Sequence, residues 1–214
     1  VLAEKLMKAG SADAKGVKIV DLSEVPSDVL PLVVGLAARL VFQLQQWSDR
    51  RHRRPIALVC DEAHLYLPHR AAADAAEARA LDPFEQIAKE GRKYGVSLVI
   101  VSQRPSELNR AVTSQCHNVV AFRLAHSADK SAVSALLPEN LGGIEDLLPT
   151  LGIGEAVVVG DACPLPGRIR IREPAYAPAS SSVRFWDEWS RAENEQRLDL
   201  AVRNLRRQSV GEKS

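Results

Sequence analysis

Long apolar runs separated by polar clusters set the rhythm of this chain. Residues 17–22, VKIVDL, are a β-branched run closed by Asp21 and Ser23, and predict a buried strand. Pro26 suits a first helical turn and Asp28 the positive start of a helix. Residues 30–47 are then apolar on nearly every face, as in a helix buried between a sheet and another layer. Its exit, Arg50-Arg51-His52-Arg53-Arg54, reads as a solvated helix end whose cations complement the dipole; contact with DNA phosphates is the alternative. Residues 55–62, PIALVCDE, form an apolar run ended by two adjacent carboxylates, the profile of a central parallel strand opening into a loop at its carboxyl end.

An alanine-rich polar segment, His69 to Ala80, precedes a helix predicted from about Pro83 to Tyr94, closing with Arg92, Lys93 and a C-cap Gly95. Residues 96–101 predict a second buried strand, stopped by Ser102-Gln103-Arg104-Pro105. A helix around 106–115, a strand over 118–124 and a helix over 127–137 extend the alternation. The body is therefore expected to be α/β, with a mainly parallel sheet flanked by helices. After Gly142-Gly143 come a short helix and two alternating strands, 155–160 and 168–172, which predict an antiparallel ribbon at the sheet edge. The expected organisation is a core over 1–174, a Pro/Ala/Ser-rich linker over 175–182 and a helical extension over 183–214. The extension opens on Phe185, Trp186 and Trp189 and suits either its own core or a neighbouring subunit.

Composition narrows the class. The 214 residues allow a sizeable core, and 46% hydrophobic with 26% charged residues excludes a wholly disordered chain. Lys and Arg number 28 against 27 Asp and Glu, so the net charge of +1 makes no global case for nucleic acid, and any basic surface is local. Three dispersed cysteines, Cys60, Cys116 and Cys163, indicate neither a disulfide framework nor a thiolate zinc site, and fit a reducing cytoplasm. No run approaches the roughly 18 apolar residues of a membrane span, so no membrane association is expected.

The candidate chemistry lies at strand ends. An ionised pair such as Asp61-Glu62 beside a buried strand costs free energy unless it holds a cation or hydrogen-bond partners. Adjacent acids on a rigid strand suit phosphoryl transfer, the first holding a hydrated Mg²⁺ and the second orienting or deprotonating water; a solvent-facing turn is the alternative. In an open α/β sheet ligands gather outside the carboxyl ends of the strands, so Gln103 is expected to face the same site. Its amide can donate to a phosphate oxygen and accept from water, although it can equally cap the turn before Pro105. His64, completing the string DEAH, is read as packing the loop. Arg104, next to Gln103, offers a contact for phosphate or DNA.

The blocks IALVCDEAHLYLP, FEQIAKEGRKYGVSLVIVSQRPSELNRAVTSQCHNVVAFRL and LLPTLGIGEAVVVGDACPLPGRIRI resemble the carboxyl-terminal half of the HerA ATPase domain, within the HerA/FtsK group of ring motors, over roughly residues 17–172. The resemblance implies a RecA-like fold assembled as a homo-hexamer that hydrolyses ATP and drives double-stranded DNA through a central channel. It also implies work with a NurA-like nuclease or other effector, in DNA repair or antiphage defence. By motif, Asp61 corresponds to the Walker B acid that holds Mg²⁺ through water, Glu62 to the catalytic acid and Gln103 to the polar sensor beside the γ-phosphate. Arg92 in EGRKYG is the candidate arginine finger, with Lys93 beside it as a further nucleotide contact. Both cations equally suit a helix carboxyl terminus. No residues are assigned to DNA binding.

One departure from the family pattern is the P-loop: G-x-x-x-x-G-K-[ST] appears nowhere, and no Gly-Lys dipeptide exists in the chain. Acids alone do not hold ATP tightly without the amides and lysine that cradle its phosphates, so these residues by themselves are expected to be inactive. Because the chain begins at Val1 within a helical pattern, a P-loop is expected upstream. The competing expectation is a non-catalytic module that oligomerises and recruits an effector.

Overall fold

The computed structural model of the chain describes residues 16–137, 143–163, 165–176, 185–190 and 198–207. The chain divides into two compact units, one of residues 1–20 and 25–171, the other of residues 21–24 and 172–214.

In the larger unit, helix α1 spans Leu30–Trp47, with Pro31 in its first turn. Pro26 lies before it, and its carbonyl accepts from the Val29 and Leu30 amides. Strand β1 is Ile56–Cys60, helix α2 is Ala75–Tyr94, and strand β2 is Val96–Ile100. The two strands pair in parallel, Ile56 opposite Val96 through to Cys60 opposite Ile100. A parallel pair needs a crossover, and α2 supplies it. Its start is two turns earlier than the sequence suggests. Asp74 and Glu77 form a reciprocal capping box, in which Asp74 accepts from the Ala76 and Glu77 amides and the Glu77 carboxylate accepts from the Asp74 amide. Pro83 therefore sits inside the helix, and the alanines before it are helical because the cap starts them.

α1 and α2 pack face to face. A Cβ at Gly35 would come within 2.7 Å of the Ala80 carbonyl oxygen, so only glycine allows this approach. Phe42, Leu81, Phe84, Ile87 and Val96 fill the core between the helices and the sheet, and Phe42 meets Tyr94 edge to face at 5.3 Å. Gly95 ends α2 at φ 70°, in the left-handed region that favours glycine.

Helix α3 (Arg110–Thr113) adds Val112 to this core, while α4 (Ser127–Ser134) and α5 (Ile144–Leu147) lie in the chain between β3 (Asn118–Ala121) and the other strands of a second sheet, β4 (Glu155–Gly160) and β5 (Gly167–Arg170). All its pairings are antiparallel. The expected ribbon of β4 and β5 is present, and β3 joins it instead of extending the parallel sheet. Burial along β3 alternates, with Val120 half exposed and Ala121 buried, as in a half-solvated antiparallel strand. Leu148, Leu151, Val133 and Val157 form the core beneath it.

The strand expected over residues 17–22 is not observed. Val17 and Ile19 are 82% and 86% exposed, and no described strand lies beside them. Extended backbone becomes a strand only when a neighbour pairs its amides and carbonyls. In the smaller unit, α6 is Phe185–Trp189 and α7 is Leu198–Arg207. Phe185, Trp186 and Trp189 pack on one another, the two indoles stacked at 5.8 Å. Residues 177–182 of the expected linker lie outside the described residues, as do 183–184, 191–197 and 208–214 of the expected helical extension.

Candidate active site

The parallel ladder continues past the ends of its strands. The Val101 amide donates to the Cys60 carbonyl at 2.9 Å, and the Ala63 amide donates to the Val101 carbonyl at 2.9 Å. This pins the residues following β1 and β2 side by side. Asp61 leaves β1 exposed to solvent, and its Oδ1 accepts from the Glu62 amide at 3.0 Å. The Tyr66 hydroxyl donates to the Asp61 carbonyl at 2.8 Å, closing the turn from below. Burial, chiefly, raises the Tyr66 phenol above its ordinary value, with the Cys60 thiol and the Asp61 and Glu62 carboxylates adding to the effect. Burial likewise pushes the Cys60 thiol up to about 11, against a smaller lowering by its hydrogen bond with Tyr66.

Glu62 has φ 46° and ψ 43°, left-handed backbone that a residue with a Cβ seldom adopts; among the described non-glycine residues it alone has positive φ. Strain of this kind persists where the surroundings fix the conformation, and it turns the Glu62 side chain toward β2. There the Gln103 amide Nε2 donates to Glu62 Oε1 at 2.5 Å. The other oxygen, Oε2, is buried and has no hydrogen-bond partner among the described residues. His64 Nδ1 lies 3.4 Å from it, and 3.2 Å from the hydroxyl of Ser102.

The structure thus brings Asp61, Glu62 and Gln103 together, as expected from the carboxyl-end rule, and adds His64 and Ser102. Sequence reasoning set His64 aside as loop packing and did not single out Ser102. The available signal was adjacency, since His64 lies two residues beyond Glu62 and Ser102 directly precedes Gln103.

Arg92 and Lys93 are not brought to this site within the chain. They lie exposed in the last turn of α2, directly before β2 begins, and so occupy the amino edge of the parallel sheet. Gln103 follows the other end of the strand, and five residues of β2 span roughly 16 Å. Arg53 confirms the placement: its guanidinium donates to the Lys93 carbonyl at 3.3 Å and the Ser48 carbonyl at 3.0 Å, and lies 5.5 Å from the Tyr94 ring centroid. That one side chain meets exposed carbonyls where both α1 and α2 end.

Among the described residues no three His, Cys, Asp or Glu side chains cluster as a metal cage. The exposed Asp61 carboxylate fits a cation that keeps its water and takes its remaining ligands from phosphate oxygens, which is the habit of Mg²⁺.

Residues 13–184 match the family described as Helicase HerA-like C-terminal. The chain belongs to this family. Among relatives of the HerA-like chain, a "Probable helicase" of Methanocaldococcus jannaschii is 33% identical over 163 residues, 72% of this chain and 30% of that protein. The "DNA double-strand break repair helicase HerA" of Pyrococcus furiosus is 29% identical over 184 residues, 72% of this chain and 32% of that protein. The HerA-like chain therefore spans about a third of the length of these relatives. Among solved structures, the genome packaging NTPase B204 from Sulfolobus turreted icosahedral virus 2, in complex with ATP-gammaS, has a TM-score of 0.52 at 12% identity, covering 80% of this chain and 72% of that one. This is a likeness of fold, and it places the HerA-like chain in the RecA-like α/β class. No helix among the described residues is long and apolar enough to cross a membrane.

Proposed function

We propose that these residues are the acid-and-sensor half of an ATP-hydrolysing site in a HerA-like motor that moves along double-stranded DNA. The observation that carries the reading is the junction of Asp61, Glu62 and Gln103 outside the carboxyl ends of two neighbouring parallel strands. In such sites catalysis is mostly positioning and electrostatics, and these three side chains have matching roles. Asp61 holds hydrated Mg²⁺ from its solvent-facing carboxylate. Glu62 accepts a hydrogen bond or proton from water, and Gln103 offers one donor to a phosphate oxygen while reporting its presence to Glu62. ATP, when bound, supplies the phosphoanhydride whose cleavage drives movement.

Arg92, far from the Glu62 of its own chain, acts in the reading across a subunit boundary, with Lys93 beside it, in a homo-hexameric ring. The P-loop is contributed by residues outside this sequence. A nuclease such as a NurA-like protein, or another effector, uses the exposed duplex in DNA repair or antiphage defence. The names of the relatives support the DNA repair part of this reading.

The test is Mg²⁺-dependent ATP hydrolysis by the full-length polypeptide carrying these residues, with and without duplex DNA, beside a Glu62→Gln version. Turnover that vanishes in the variant supports the reading, and equal rates remove Glu62 from the chemistry. A full-length protein that never turns over ATP yet recruits its effector is a scaffold, and the motor reading fails.

A further inference from the structure

Glu62 has two carboxylate oxygens, and the role proposed above accounts for the partner of only one. Oε1 takes the Gln103 amide; Oε2 is buried without a hydrogen-bond partner among the described residues. A buried carboxylate oxygen lacking a donor is costly, so a proton must lie near it. The nitrogen close by is Nδ1 of His64, at 3.4 Å, on a side chain only 14% exposed.

The same Nδ1 lies 3.2 Å from the Ser102 hydroxyl, whose oxygen also accepts the Arg104 amide at 3.0 Å. One ring nitrogen thus stands between two oxygens, one of them an acceptor with no other donor among the described residues. A lone pair on Nδ1 would leave two electron-rich atoms facing each other in a partly dry site. A proton on Nδ1 serves both oxygens.

We infer that His64 is a positioning residue for Glu62, carrying its proton on Nδ1 and sharing it between Glu62 Oε2 and Ser102 Oγ. The chain Ser102–His64–Glu62–Gln103 then crosses twice between the loop after β1 and the loop after β2. When Gln103 turns to a phosphate, Oε1 loses its amide donor and becomes free to act on water. His64 still holds Oε2, so the carboxylate keeps its direction through the change. Ser102, immediately before Gln103, ties the imidazole to the strand end that carries Gln103. The inference rests on the reading of Glu62 as the catalytic acid.

The experiment is steady-state ATP turnover by the full-length polypeptide in four forms: the natural one, His64→Ala, His64→Asn and Glu62→Gln. Its companion is a ¹⁵N-histidine spectrum of the natural form. His64→Ala is expected to lower kcat about tenfold, with KM for ATP little changed, because the lost contact aims a group without binding substrate. Asparagine places an N–H near the position of Nδ1, so His64→Asn is expected to recover most of the rate. The spectrum is expected to show a protonated, pyrrole-type Nδ1 on His64.

His64→Ala turning over at the natural rate while Glu62→Gln is inactive overturns the positioning role and leaves Glu62 as the acid. Glu62→Gln turning over normally overturns the reading on which the inference rests. A His64→Ala protein that fails to fold leaves the spectrum to decide: a proton on Nε2 with a bare Nδ1 overturns the inference. Kinetic loss that His64→Asn does not restore overturns it as well.

Discussion

The Gln103 amide donates to the Glu62 carboxylate across the carboxyl ends of two adjacent strands, joining residues 41 positions apart in sequence. The bond exists because β1 and β2 are parallel and in register, so the residues following them emerge on the same edge. It also makes the two side chains interdependent, since an amide that turns away from Glu62 changes what the carboxylate can accept.

Glu62→Gln retains the shape of the side chain and removes its charge. In the full-length polypeptide the variant is expected to lose about 100-fold or more in kcat while still binding nucleotide, the usual scale for removing a general base. Phosphate release together with a fluorescent-nucleotide titration separates the two effects.

Substitution of Gln103 is expected to rank by charge. Gln103→Ala removes one donor and costs about tenfold in kcat. Gln103→Glu sets a second carboxylate against Glu62 and is expected to be the slower variant. A rate for Gln103→Glu equal to or above that of Gln103→Ala would mean that the two side chains part before the rate-limiting step.

Arg92 at the amino edge and Glu62 at the carboxyl edge belong, in the proposed ring, to different sites. Arg92→Ala and Glu62→Gln proteins are each expected to be inactive alone, and mixtures of the two to regain ATP turnover through rings that contain some intact sites. Mixtures as inactive as the separate proteins would show that Arg92 does not complete a neighbour's site.

Asp74 starts α2 by accepting from two amides. Asp74→Ala is expected to lower folding stability by about 1 kcal/mol, measured by urea denaturation, with Asp74→Asn closer to the natural protein.

Asp129 links α4 to the loop after Gln103, accepting from the amide and the hydroxyl of Ser106 at 3.1 and 2.6 Å. Burial acts to raise its carboxyl, but the two Ser106 hydrogen bonds, with His126 and Arg104, outweigh it and hold the group below the ordinary value of 3.8. A carboxyl lowered in the fold stabilises it fully above that ordinary value, and the contribution disappears as pH falls through the lowered value. Thermal unfolding from pH 6 down to pH 2 is therefore expected to fall less steeply in Asp129→Asn, which begins from a lower stability at pH 6.

Much of this architecture is legible in the apolar runs. α1, β1 and β2 begin and end within about a residue of their apolar runs, but the burial expected on both faces is not observed: each buries one face, and Leu36, Val59 and Val99 are 56%, 67% and 45% exposed on the other. The start of α2 is less legible, since an alanine-rich polar stretch resembles a loop until Asp74 and Glu77 are recognised as a cap. β3 continues an alternating rhythm on paper and pairs otherwise in space, because strand direction depends on a partner that comes later in the chain. In the site, Asp61, Glu62 and Gln103 follow from the carboxyl-end rule. The position of Arg92 also follows from topology: a helix that feeds directly into a parallel strand ends at that strand's amino edge. His64 and the second oxygen of Glu62 required coordinates, because a missing donor has no signature in sequence.

The left-handed backbone at Glu62 sets this position at odds with itself. Glycine would relieve the torsion and asparagine would tolerate it, yet either would remove the acid. Selection for heat resistance alone should therefore enrich inactive molecules at this codon, whereas selection for work done should keep glutamate despite its conformational penalty. Deep mutational scanning under the two pressures would give opposite preferences at residue 62 and similar ones at Val133, a buried residue of the second core.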